Sequence, residues 1–228
     1  MVTEEESTPH VADGAPGLGP RLRQLRNARG LSVRELARRA GCSASLVSQV
    51  ERGVTTPSAS VVYALANELG ISLDFLFGAG DPPTPRRASS APGDALAAPP
   101  AAFHQWGRAS GANGTGIVQR AGDRSVIELS TGVRWERLTP THDEWVDFLE
   151  VIYTPGGQSS DGGQAVRHDG REYLYVLQGE LEAVIGFDTL QLHAGDSLAF
   201  DPATPHQYRN RTTEIARALS VVVHNPTR

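Results

Sequence analysis

Leu31–Gly53, LSVRELARRAGCSASLVSQVERG, decides how the first third of the chain folds. Ser32 stands three residues before Glu35, the pattern of a capping box, and Leu31 and Leu36 flank it as a hydrophobic staple. Leu36, Ala37 and Ala40 form the inner face of this first helix, and Gly41 follows it where a left-handed residue turns the chain back sharply. Ser43 then caps a second helix to about Arg52, in which Leu46, Val47 and Val50 repeat at helical spacing and point inward, and Gly53 ends it. What remains on the outer, N-terminal side of that helix is Ala44, Ser45, Ser48 and Gln49. Such small or uncharged hydrogen-bonding side chains suit base edges. Glutamine pairs bidentately with adenine, serine donates or accepts, and an alanine methyl meets thymine.

Read as G-C-S-A-S-L-V-S-Q-V-E-R-G, with the flanking L-S-V-R-E-L-A and T-T-P-S, the stretch resembles the phage-repressor-like (XRE) helix-turn-helix family. The resemblance implies a double-stranded DNA operator as partner. Ala44, Ser45 and Gln49 would face bases, Ser48 would sit nearby, and Ser43, Arg52 and Thr55 would approach phosphates. Family members often carry Gln where Val33 stands, which implies a missing contact at the start of the first of the two helices.

Outward from this stretch, Leu22 and Leu25 begin an earlier helix that Gly30 ends. Pro57 and Ser58 open a fourth, with Val61, Val62, Leu65 and Leu69 on one face and Gly70 as its stop. Ser72 can cap a fifth carrying Leu73, Leu76 and Phe77. Residues 19–78 are thus expected to form a five-helix DNA-binding domain. Residues 1–18, with Glu4, Glu5 and Glu6 among glycines and prolines, are expected to be disordered. Residues 79–112 read as a flexible Pro/Ala-rich linker, one that transmits little torque between its neighbours.

A chain of 228 residues has room for two domains. Its net charge of -5 argues against nucleic acid until its distribution is considered. Every positive residue is Arg, and between Gly19 and Gly78 eight Arg meet four acidic residues, a net of +4 that leaves -9 on the remainder. A basic unit joined to an acidic one fits phosphate neutralisation by the first and a different task for the second. No run is long and apolar enough for a membrane, and the acidic start MVTEEESTPH lacks the features of a secretory signal, so a cytoplasmic protein is expected. Cys42 is the only cysteine, which excludes an internal disulfide, and its place in the tight turn suits packing.

Beyond the linker the apolar period changes from 3.6 to 2. Strands are predicted at 117–120, 125–129, 133–138, 148–153, 173–177, 181–185, 189–192, 197–200 and 216–223, separated by glycine-rich turns. Many short strands without a long helix imply an antiparallel sandwich or barrel.

Two segments are more specific. R-H-D-G-R-E-Y-L-Y-V-L-Q-G-E-L (167–181) and G-D-S-L-A-F-D-P-A-T-P-H-Q-Y-R-N (195–210) resemble the two motifs of the cupin family. The resemblance implies a double-stranded β-barrel, or jelly roll, over residues 113–228, able to dimerise and to hold a metal or organic ligand. His168, Glu172 and His206 match three of the family's four ligands, while Val166 occupies the place of the first histidine and Asp201 and Ala203 replace the usual Pro and Gly. Two histidines and a carboxylate suit one divalent transition metal, Fe(II), Mn(II) or Zn(II), with open positions. Residues four apart on a straight strand lie roughly 13 Å apart, so Asp169-Gly170 must bend the chain if His168 and Glu172 share a site. In the other reading the trio lines a pocket for a small-molecule effector.

The fold class expected is α + β multidomain, a λ-repressor-like helical domain followed by a cupin barrel. The function expected is a homodimeric DNA-binding transcriptional regulator, because one reading helix covers few base pairs and useful specificity needs two half-sites. The alternative is a metalloenzyme with an appended helical domain, as in hydroxypropylphosphonate epoxidase, whose iron site resembles this H-x-x-x-E with a distant His.

Overall fold

The computed structural model describes residues 17–77, 117–161 and 165–224. The expected tail and linker, with Trp106 and His104, lie largely or wholly outside the described residues. Four α-helices come first: α1 (Leu18–Ala28), α2 (Val33–Arg39), α3 (Ala44–Glu51) and α4 (Ala59–Leu69). The local signals act as read. The Ser32 hydroxyl accepts from Glu35 N at 3.1 Å and the Ser43 hydroxyl from Leu46 N at 3.1 Å. Only half of the capping box forms, because the Glu35 carboxylate turns instead to Arg38 and Arg39. Where a fifth helix was expected, Leu73–Leu76 make a four-residue 3₁₀ turn.

Val62, Leu65 and Leu69 of α4 join Leu22, Leu25, Leu36, Val47 and Val50 in one buried core. Gly19 explains itself here: a Cβ at this position would lie 2.2 Å from Val50 O, so only glycine lets α1 come this close to the end of α3. Beneath that contact, Arg26 forms a buried fork on Glu51, Nε to Oε1 at 2.6 Å and Nη2 to Oε2 at 2.9 Å. This pairing ties α1 to α3. Arg21 is likewise buried and donates to Phe75 O, so two of the eight basic residues serve the core rather than a surface.

Nine strands follow among the described residues: β1 (Val126–Leu129), β2 (Val133–Arg137), β3 (Val146–Tyr153), β4 (Arg171–Gln178), β5 (Glu180–Ile185), β6 (Asp188–His193), β7 (Ser197–Phe200), β8 (His206–Arg209) and β9 (Ala216–Val223). All pairings are antiparallel, in a six-stranded sheet ordered β1-β2-β3-β9-β4-β7 and a three-stranded sheet ordered β6-β5-β8. The chain is therefore α + β. Ile117–Arg120, expected as a strand, pairs with nothing among the described residues, and Ile117 is 77% exposed. Conversely β8 was not expected, since HQYR lacks an apolar alternation. It is held by pairing with β5.

The two parts are docked directly, through contacts of the kind that coupling requires when the linker transmits little torque. Ser60 N, an orphan donor at the start of α4, donates to Ser159 O at 3.0 Å, and Ser130 N donates to Pro57 O at 3.0 Å. Asn67 Nδ2 donates to Arg167 O. The fully buried Asp74 carboxylate accepts from Thr139 Oγ1, His142 Nδ1 and Asp143 N, while its own amide donates to Asp147 Oδ1. His224 bonds Asp147 through Nε2 at 2.7 Å. Burial alone would lower its pKa, but the Asp147 hydrogen bond and the charges of Asp147, Asp143 and Asp169 together outweigh burial and raise it.

Candidate functional site

The helical part presents one surface built for contact. On α3, Val47 and Val50 are buried, Ser45 is exposed, and Ala44, Ser48 and Gln49 are half-buried. Ser43 and Arg52 at the helix ends are exposed and Thr55 is half-buried. The Ser43 hydroxyl accepts its cap bond and retains its own proton to donate. On the neighbouring α2, Arg38 and Arg39 converge on Glu35, and these hydrogen bonds lower its pKa to about 2. The two guanidiniums are thus held side by side on a solvent-facing helix.

The second site lies between the two sheets. Gly170 supplies the bend that the spacing demanded: its φ is +108°, and a Cβ there would sit 2.4 Å from Val223 O, so no other residue fits without displacement. That bend brings His168 back onto Glu172, Nε2 to Oε2 at 3.0 Å. His206 arrives from β8, its Nε2 3.4 Å from the same oxygen. Offered ligand atoms of the three residues lie within 4.8 Å of one another, and all three side chains are buried. Val166 bridges His206 across two backbone hydrogen bonds, and its buried side chain lines the cavity where the family's other histidine would stand.

The surroundings fit a metal. His168 Nδ1 lies 3.2 Å from Asp169 O and His206 Nδ1 2.9 Å from Thr204 O. When both Nδ1–H groups donate to those carbonyls, both Nε2 lone pairs face a carboxylate oxygen, an arrangement that calls for a cation between them. Tyr208 Oη donates to Glu172 Oε1 at 2.7 Å and fixes the carboxylate from behind. With His168 Nε2 protonated instead, its hydrogen bond to Glu172, the neighbouring imidazoles and Tyr208 outweigh burial, which alone would raise the Glu172 pKa, and hold it below the usual range. Burial lowers the His206 pKa, which keeps it in the neutral form a metal requires.

Three contributors to this site escaped the sequence reading. Tyr63 of α4 stacks on His168, Trp135 of β2 meets Tyr63 edge-on, and Tyr208 holds Glu172. Tyr208 shares a β-strand face with His206, a signal available only once β8 is recognised. Tyr63 carries a weaker one: Ala59, Tyr63 and Asn67 repeat every four residues, about 130° around the helix from the stripe of Val62, Leu65 and Leu69.

Comparison with known proteins agrees with both halves. Residues 22–76 match the HTH_3 helix-turn-helix family and residues 149–222 the Cupin_2 cupin domain. The chain is 26% identical over 219 residues to the HTH-type transcriptional regulator PuuR of Escherichia coli, covering 95% of this chain and 99% of that one. It is 40% identical over 85 residues to an uncharacterized transcriptional regulator in the ATPase CF(0) region of Rhodospirillum rubrum, covering 36% of this chain and 77% of that one. The crystal structure of an HTH_3 family transcriptional regulator from Vibrio cholerae shares the fold, with a TM-score of 0.59 and 21% identity over 91% of this chain and 95% of the other.

Proposed function

Because the chain belongs to the XRE family of helix-turn-helix transcriptional regulators and carries a cupin domain behind its reading helix, we propose that it reads its operator as a homodimer through Ala44, Ser45, Ser48 and Gln49, with Ser43, Arg52 and Thr55 on phosphates. In this reading it acts in the cytoplasm. Residues 19–78 are the DNA-binding unit, with the 3₁₀ turn in the place of a fifth helix, and residues 113–228 are a jelly-roll barrel that dimerises and senses, joined through 79–112.

The observation that carries the reading is the outer face of α3, where small hydrogen-bonding side chains lie opposite the buried Val47 and Val50. Dimerisation is supported by the outer face of the six-stranded sheet. Tyr173, Tyr175 and Leu177 are each more than 40% exposed on β4, and Tyr173 and Tyr175 are paired with Val221 and Leu219 of β9. Such an apolar strip on a sheet face suits a two-fold partner.

The test is a mobility shift on the protein's own promoter and neighbouring intergenic fragments. Gln49→Ala is expected to weaken specific binding by about tenfold or more, and Tyr175→Glu to give a monomer on analytical ultracentrifugation with specific binding lost. Undiminished binding by Gln49→Ala would mean that the register of α3 is wrong.

We further infer that His168, Glu172 and His206 hold one divalent transition metal, the donor set and its oriented imidazoles being the support. When bound, the metal supplies a charged anchor for an effector at its open positions. Purified chain loaded with Co(II) is expected to retain about one equivalent, with affinity falling at least ~100-fold in His206→Ala, Glu172→Gln losing the visible band, and Val166→His tightening binding. A chain that retains no metal after dialysis leaves the trio as the polar lining of an organic-effector pocket.

A further inference from the structure

Part of the wall of the cavity between the sheets comes from the DNA-binding domain itself. Ala59 and Tyr63 of α4 line it together with Trp135, Glu172, His206 and Tyr208. The Tyr63 ring lies 9° from parallel with the His168 imidazole, centroids 4.4 Å apart, and meets Trp135 edge-on at 5.5 Å. Behind this stack His168, Glu172, His206 and Tyr208 are all buried. The space beside them holds little more than one water-sized occupant.

We propose that Tyr63 is the plug of the barrel, so that anything larger than a single ion enters only when α4 lifts away, and an organic effector and the docked DNA-binding domain compete for one space. This rests on the reading of the barrel as the sensing unit and specifies how its state reaches DNA. The plug moves as part of a body. Val62, Leu65 and Leu69 lie in the buried cluster with Leu36 of α2 and with Val47 and Val50 of the reading helix, and α4 packs on α2, which packs on α3. Asn67, one turn beyond Tyr63, bonds Arg167 O beside His168, and the Ser60 amide, next to Ala59, donates to Ser159 O at the start of the helix. Expelling α4 from the mouth therefore breaks the interdomain bonds and repositions α3 with it.

An effector that fits only the undocked form shifts the population by its differential affinity. By linkage, operator DNA that prefers one arrangement changes effector affinity by the same factor. A metal ion held between His168, Glu172 and His206 lies beneath the plug and is compatible with docking. The barrel thus distinguishes an ion from a molecule by size.

The test uses the full chain, freed of metal with EDTA and treated with diethyl pyrocarbonate. Modification of each histidine is mapped by mass spectrometry against the exposed His193 as internal reference. Tyr63→Ala is expected to raise the rate at His168 and His206 roughly tenfold while Tyr63→Phe, which keeps the ring, matches the wild type. Asp74→Asn, which loosens the docking from a residue outside the cavity lining, is expected to raise the same rates and the hydrogen exchange of the Ser60 and Ser130 amides. Equal histidine rates in wild type and Tyr63→Ala would overturn the plug. So would Asp74→Asn freeing both amides while the histidines stay protected, since Tyr63 would then gate nothing through α4. Neither DNA nor metal enters this footprint, so it stands apart from the sensing reading, which fails instead if neither metal loading nor Glu172→Gln alters operator binding.

Discussion

Arg26→Met is expected to destabilise the helical domain by about 3–5 kcal/mol and to abolish operator binding with it. The Arg26 and Glu51 side chains keep only 10% and 5% of their exposure, and they meet through two parallel hydrogen bonds. Arg26 also donates to Leu31 O at 2.7 Å, which anchors the chain entering α2. Removing the guanidinium leaves a carboxylate buried between α1 and α3 without its partner, and that uncompensated charge is the main cost. The hydrogen bond to Glu51 raises the Arg26 pKa against an opposing burial effect, which identifies the pair as mutually dependent. The double variant Arg26→Met/Glu51→Leu removes both charges, and it is expected to recover most of the lost stability. Denaturant melts of the full chain followed by helical circular dichroism measure both. A loss below 1 kcal/mol in the single variant would show that Glu51 finds water or another partner.

The second large effect is expected from Asp74→Ala. Its carboxylate has no solvent exposure and serves three donors: Thr139 Oγ1 at 2.7 Å, His142 Nδ1 at 2.9 Å and Asp143 N at 2.9 Å. All three belong to the segment between β2 and β3, so one side chain of the helical domain organises a loop of the other. An unsatisfied buried group costs roughly 1–3 kcal/mol, and a loss near 3 kcal/mol in docking is expected once local relaxation is allowed. The observable is separation of the thermal transition into helical and β components, with accelerated exchange of the Ser60 and Ser130 amides. Asn at this position keeps one acceptor oxygen, and the loss is expected to be smaller. A single unchanged transition in Asp74→Ala would mean that the Ser60, Ser130 and Asn67 bonds hold the domains together without it.

How much of this was legible beforehand varied with the range of the interactions involved. The caps at Ser32 and Ser43, the turn glycines and the core residues of α3 and α4 follow from contacts within a few residues, and they appear in the structure as read. The fifth helix shrank to a 3₁₀ turn because its four residues are fixed by neighbours, Ser72 bonding Asp143 O and Asp74 bonding the β2–β3 segment, rather than by their own periodicity. Ile117–Arg120 has strand-like residues but no partner among the described residues, whereas β8 has polar residues and a partner in β5. Strand formation depends on pairing, which a local pattern does not encode.

Sequence by itself determined the two fold classes, which face of α3 is left outside the core and the composition of the His168, Glu172 and His206 set. Helix caps and alternation are short-range physics, and those three residues stand in recognisable motifs. Only the tertiary structure decided that Gly170 folds His168 onto Glu172, that Val166 sits opposite His206, and that Tyr63 stacks on His168 at the wall of the cavity. A periodic pattern reveals which face of a helix is apolar without revealing what that face or its neighbour will touch. The partner of Tyr63 lies more than a hundred residues away, and packing brings the two together.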